Sequence, residues 1–93
     1  MLDATQYDEL MEAIENYNSN TDLSRAHEVF ERLATHFNDD ESQFFLGLMY
    51  ENGEVVSKDI DKAIYWWKKA ANNRNRDAHF RLQTYSISTN TRY

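Results

Sequence analysis

Apolar residues recur at helical spacing in five stretches of this chain, and short polar turns separate them. Tyr7, Leu10, Met11, Ile14 and Tyr17 mark a first helix from about Asp3 to Tyr17, with Asp8, Glu9, Glu12, Glu15 and Asn16 covering its other side. After the turn Asn18–Thr21, either Thr21 or Asp22 offers an N-cap. The helix it starts carries Leu23, Ala26, Val29, Phe30, Leu33 and Ala34 to about His36, and Phe37 closes it. Asn38-Asp39-Asp40 is the second turn, and Asp40 with Gln43 has capping-box spacing. A third helix, about Glu41 to Asn52, is apolar nearly all round, which predicts a central position covered on several sides. Gly53 stops it by tolerating positive φ. Asp59 caps a fourth helix that runs to about Asn73, with Lys68, Lys69 and Arg74 near its C-terminal end, where cations complement the dipole. Past the turn Asn72–Arg76, Ala78, Leu82 and Tyr85 define a fifth helix from about Asp77 to Ser86; Ile87–Tyr93 read as a frayed polar tail.

The expected fold is therefore all-α, a single domain of about five helices in 93 residues. Two glycines and no proline leave few breakers, in keeping with that expectation. The absence of cysteine excludes a disulfide framework, a thiolate metal site and a cysteine nucleophile. The N-terminal stretch is acidic and amphipathic, without the positive and apolar regions of a signal peptide, and no apolar run approaches the roughly 18 residues of a membrane span. These features lead to the expectation of a soluble, cytoplasmic protein that does not engage a membrane.

The five helices are not independent. Asp22-Leu23-Ser24-Arg25-Ala26 matches Asp59-Ile60-Asp61-Lys62-Ala63, 37 residues later. Val29-Phe30 falls on Trp66-Trp67 and Leu33-Ala34 on Ala70-Ala71 at the same offset, while Ser42 and Leu46 fall on Ala78 and Leu82 at an offset of 36. Two helices per period of this length signal an α/α solenoid, because one hairpin cannot bury both of its faces.

The stretch Ser42–Ala71 resembles the Sel-one-like repeat, a relative of the tetratricopeptide repeat. That pattern reads A-x-x-x-L-G-x-x-Y-x-x-G-x-G-V-x-x-D-x-x-K-A-x-x-W-Y-x-K-A-A. Leu46, Gly47, Tyr50, Gly53, Val56, Asp59, Lys62, Ala63, Trp66, Lys69, Ala70 and Ala71 stand in register with it. Ser42 replaces the first alanine, Trp67 the tyrosine, and Val55 the second loop glycine, so a different backbone path is expected in that turn. Arg74 stands where a helix-ending glycine is usual and Gln83 replaces the glycine of the next unit, as in a truncated capping repeat. On this reading residues 1–40 are a degenerate first helix pair, 41–76 the full repeat, and 77–93 a capping helix and tail. The resemblance implies right-handed stacking of helix pairs, a protein-binding scaffold whose first helices line a concave surface, and no catalytic residues.

Charge adds a candidate surface. Residues 1–41 carry eleven carboxylates against two arginines, net −9, and residues 42–93 carry eight cations against five carboxylates, net +3. Such asymmetry speaks of partners rather than of fold. Asp8, Glu9, Glu12 and Glu15 are ordinarily a solvated face, but with so few basic residues nearby they also suit a basic protein. Phe44 and Leu48 point away from the Leu46/Tyr50 side and are either covered by neighbours or part of a binding groove. Trp66 is expected in the core; Trp67 is either core or, with Phe44 and Leu48, a partner contact.

Other chemistries find little support. His27, His36 and His79 lack the spacing of a helical metal site, and His36 beside Asp39, Asp40 and Glu41 reads as a C-terminal histidine followed by capping carboxylates. No nucleophile motif and no phosphate-binding glycine loop is present, so neither an enzyme nor a cofactor is expected. Lys68, Lys69, Arg74, Arg76 and Arg81 are explained by dipole complementarity, and no groove-reading motif accompanies them, which argues against nucleic acid. The expectation is a non-catalytic interaction module, monomeric or weakly self-associating. Its sharpest form is a small inhibitor or immunity protein that blocks a basic protein such as a toxin; the alternative is an adaptor joining other proteins.

Overall fold

Side-chain caps set the helix boundaries. The computed structural model describes residues 2–90, with side chains over residues 2–85. It contains α1 (Ala4–Asn18), α2 (Leu23–His36), α3 (Asp40–Asn52), α4 (Ile60–Asn72) and α5 (Arg76–Asn90), and no strand among the described residues. Asp3 and Gln6 form a reciprocal capping box that starts α1. Asp22, rather than Thr21, caps α2 by accepting from the Arg25 N–H. Asp39 and not Asp40 caps α3: its carboxylate accepts from the backbone N–H of Ser42 at 2.9 Å and from the Ser42 hydroxyl at 2.7 Å. Asp59 caps α4 as expected. Helix α5 continues to Asn90 where a frayed tail was expected from Ile87; Thr91–Tyr93 lie outside the described residues.

Two positions where the repeat pattern has glycine hold left-handed backbone without one. Gly53 ends α3 in the left-handed conformation, with φ 73°. The turn after it does not reroute around the missing second glycine, because Val55 itself takes φ 66°. A β-branched side chain is strained there, by about 1–3 kcal/mol for such positions. Arg74, where the repeat pattern has glycine, likewise holds φ 70°.

The helices stack in sequence order, α1 on α2, α2 on α3, α3 on α4 and α4 on α5. Two further contacts turn this zigzag into layers. Tyr17 of α1 packs edge-on against Phe45 of α3, with ring centroids 5.4 Å apart. Glu51 of α3 accepts from Arg81 at 3.0 Å and from Tyr85 at 2.7 Å, both on α5. So α1, α3 and α5 form one layer and α2 and α4 the other, an elongated α/α solenoid measuring 47 × 26 × 19 Å. Helix α3 touches all four others, which is why it has almost no wet face.

The core divides in two. Leu10, Ala13, Ala26, Val29, Phe30, Leu33, Ala34, Leu46 and Met49 fill the space between α1, α2 and α3. Ala63, Trp67, Ala70 and Ala78 fill that between α4, α5 and the far side of α3. Phe30 stacks on Phe45 at 5.0 Å in the first. In the second, Trp67 lies so close to Gly47 that a Cβ there would stand 2.2 Å from the indole nitrogen. That nitrogen donates to the Phe44 carbonyl at 3.2 Å.

Candidate interaction surfaces

Helix α1 separates its carboxylates by direction. Leu10 and Ala13 face the core. Asp8, Glu12 and Glu15, at spacings of four and three, form one exposed stripe on the opposite side, and no ion pair reaches them among the described residues. Glu9 does not belong with them, a correction to the expected four-residue surface. It turns toward α2, where Arg32 donates to it at 3.0 Å and Arg25 stands 4.0 Å away. Both arginines of the N-terminal half are therefore spent on one carboxylate.

Contacts fix the register of α1 against α3. Glu9 faces the following helix α2 as Gln43 faces α4, and Tyr17 reaches α3 as Glu51 reaches α5. At this offset of 34, Asp8, Glu12 and Glu15 correspond to Ser42, Leu46 and Met49, the buried α3 residues on the side of α2. The acidic stripe is thus the first end of the solenoid, where a preceding helix pair would stack; it is not the inner groove.

Of the two readings open for Trp67 the core one holds, while Trp66, expected in the core, is only partly buried against it. Trp67 is fully buried and cannot be a partner contact, because it lies in phase with Ala63 and Ala70 on the core stripe of α4. That phase was legible as apolar positions at i, i+4 and i+7. Trp66, one residue earlier and about 100° round the helix, is half-buried and lines an apolar hollow of about 440 Å³ with Tyr50 and the exposed Tyr65. Lys62 lies over the Tyr50 ring and Lys69 over the Tyr65 ring, at 5.5 and 5.6 Å.

Phe44 and Leu48 are half-buried against the α4–α5 core. Phe44 also borders a groove of about 410 Å³ between α3 and α5, closed on the other side by Phe80 and Thr84. Phe80 is 69% exposed, the most exposed large apolar side chain described, and sequence pattern alone did not single it out. At the helix starts beside this groove, Glu41 lies near Asp39, Asp40 and Asp77. Partial burial, then repulsion from those carboxylates, raises its pKa above the ordinary glutamate range. Tyr85 is raised by its hydrogen bond to Glu51.

Two polar groups hold repeat to repeat. Gln43 is fully buried: its amide nitrogen donates to the Ala34 carbonyl and to Asn38, and its oxygen accepts from Asn73 at 3.0 Å. Tyr17 donates to Glu54 at 2.8 Å, and burial with that bond pushes its pKa up to about 12. His36 is exposed on α2, and no group of metal-ligating side chains occurs among the described residues. No helix among them is long and apolar enough to cross a membrane.

The stacking geometry agrees with comparison to known families. Residues 40–75 match the model of the Sel1 repeat. The chain carries a Sel1 repeat. No curated protein and no solved structure matches it. Sel1 repeats are in general non-catalytic protein–protein interaction modules. In this one the pattern residues have structural work: Gly47 admits Trp67, Gly53 and Asp59 shape the loop, and Ala63 and Ala70 let α4 approach the core.

Proposed function

We propose that this Sel1-repeat chain is a non-catalytic binding protein that takes a basic protein on its acidic first end and acts as a cytoplasmic inhibitor of that protein, in the manner of an immunity protein against a toxin. One observation carries the reading: Asp8, Glu12 and Glu15 share an exposed stripe, while the only two nearby arginines are engaged by Glu9. Like charges left together destabilise the free protein, and a cationic partner relieves that repulsion. Tyr7 and Met11, exposed on the neighbouring stripe of α1, supply apolar contact beside the charges. Inhibition would be by occlusion, the carboxylates steering the encounter and the apolar side chains supplying contact.

The test is affinity capture with tagged protein at low and at moderate salt, read by mass spectrometry, beside the Glu12→Lys/Glu15→Lys variant. Recovery of one basic protein in stoichiometric amount, weakened by salt and lost with the variant, supports the reading. Recovery of the same partners by the variant overturns it. A set of neutral partners indifferent to salt would favour the adaptor reading.

A further inference from the structure

Among the described residues the solenoid presents the same helix seat twice, once filled and once open. In the filled copy, α4 rests on α3 through Gln43, Phe44 and Gly47. Gln43 accepts from Asn73 at the end of α4, the Phe44 carbonyl accepts from the Trp67 indole, and Gly47 makes room for that ring. Helix α5 repeats α3 at an offset of 36. Asn75 caps it by accepting from the Ala78 N–H at 2.8 Å, as Asp39 accepts from the Ser42 N–H at 2.9 Å. The buried Ser42 and Leu46 fall on the buried Ala78 and half-buried Leu82. On this register His79, Phe80 and Gln83 stand where Gln43, Phe44 and Gly47 seat α4.

Those three residues face an open groove of about 340 Å³ along α5, closed by Ala71 of α4, by Arg74 of the turn and by Arg76 at the start of α5. Its chemistry is one-sided. Neither Arg74 nor Arg76 is in an ion pair among the described residues, and no carboxylate lines the groove. Phe80 supplies an exposed aromatic anchor on the floor. Gln83 stands at the position of that glycine and lines the groove, so it carries a side chain where Gly47 leaves room for a ring. A helix lying here would be held by side chains reaching Phe80 and Ala71 and not by the close approach seen between α3 and α4.

We infer that this seat docks an amphipathic helix of another protein, with an apolar stripe on Phe80 and Ala71 and acidic residues against Arg74 and Arg76. The shape specifies a helix, because the counterpart groove holds one; the guanidinium groups, in no ion pair among the described residues, specify acidic flanks. A second copy of this chain would also bring an acidic first end to Arg74 and Arg76, and the self-association measured below tells it apart from such a partner. The site is at the opposite end from Asp8, Glu12 and Glu15 and does not depend on their role. Together the two ends would let one short solenoid bridge a basic and an acidic partner.

The probe is a synthetic 16-residue helical peptide with leucines at i, i+4, i+7 and i+11 flanked by glutamates, beside the same peptide with lysine for glutamate. Binding is followed by fluorescence anisotropy and by amide shifts of the protein. The expected result is saturable binding of the acidic peptide only, with shifts centred on His79, Phe80 and Gln83. Arg74→Glu/Arg76→Glu and, separately, Phe80→Ala should each weaken it by about tenfold, the size of one lost anchor of 1–2 kcal/mol. Glu12→Lys/Glu15→Lys should bind the peptide as the parent does, which separates this site from the acidic end. Thermal melts show that the variants are folded, and Phe80→Ala, at an exposed position, stands as the test if the arginine variant is not. Equal binding of both peptides, binding undiminished in folded variants, or no binding at millimolar peptide would overturn the inference. So would concentration-dependent self-association abolished by the arginine variant, or preferential binding of a single-stranded RNA oligonucleotide through the same residues.

Discussion

Gly47 and Gln83 occupy equivalent turns of α3 and α5, and the solenoid is closed at one and open at the other. At Gly47 the missing side chain is occupied by the Trp67 ring, with three ring atoms within 2.8 Å of where a Cβ would stand. At Gln83 nothing of the described chain comes so near, and the side chain lies at the edge of a groove. The two helices share a capping scheme and a buried stripe, yet among the described residues only α3 has a partner over this face. The difference teaches that in this fold a glycine records the close approach of a helix, as at Gly47, while Gln83 has none against it among the described residues.

The contrast is open to direct attack. Gly47→Ala should cost about 2–4 kcal/mol, because displacing a buried indole outweighs the roughly 1 kcal/mol that alanine gains over glycine in a helix. Gln83→Ala should change stability by less than about 0.5 kcal/mol, as for surface positions generally. Urea melts of the two variants would measure both; a similar loss at the two positions would dissolve the distinction.

A smaller effect sharpens the picture at the α3–α4 loop. Val55 holds φ 66° with its side chain 51% exposed, so little packing compensates the strain. Val55→Gly should stabilise by about 1 kcal/mol, the relief of strain exceeding the added freedom of the unfolded chain. A loss of stability would mean that the valine side chain holds the loop in some other way.

The smallest effect is one of pH. Tyr17 ties α1 to the Glu54 loop and ionises at about 12 in the folded protein, against 10.0 ordinarily. The folded state therefore keeps a proton that the unfolded state releases first. Its contribution is intact below pH 10 and is lost as pH rises from 10 toward 12. Tyr17→Phe should be less stable than the parent by about 1 kcal/mol at pH 8, the worth of a hydrogen bond. That deficit should shrink in melts at pH 11. A deficit that stays constant would show that Tyr17 titrates normally.

Much of this architecture was legible in the chain. The period-3.6 stripes and the Asp59 cap placed the helices, because backbone satisfaction at a helix end is decided by residues three positions apart. The 36- and 37-residue offsets predicted stacking, because each hairpin leaves an apolar face uncovered. The acidic stripe of α1 was legible as charge, and three of its four carboxylates do lie together in solvent.

What the sequence did not decide were matters of direction. Trp66 and Trp67 are chemically identical neighbours, and a 100° step about the α4 axis settles that one is core and the other lines a surface hollow. Glu9 and Glu12 are equally acidic, and only the position of α2 commits the first to Arg32. Composition and periodicity by themselves determined an all-α solenoid with an acidic first half, since those follow from local hydrogen bonding and from the need to bury one face of each helix. The tertiary structure alone decided which end of the stack each charge marks and that the seat beside α5 is open among the described residues, since these depend on how far apart in space residues 34 to 37 positions apart in the chain are brought.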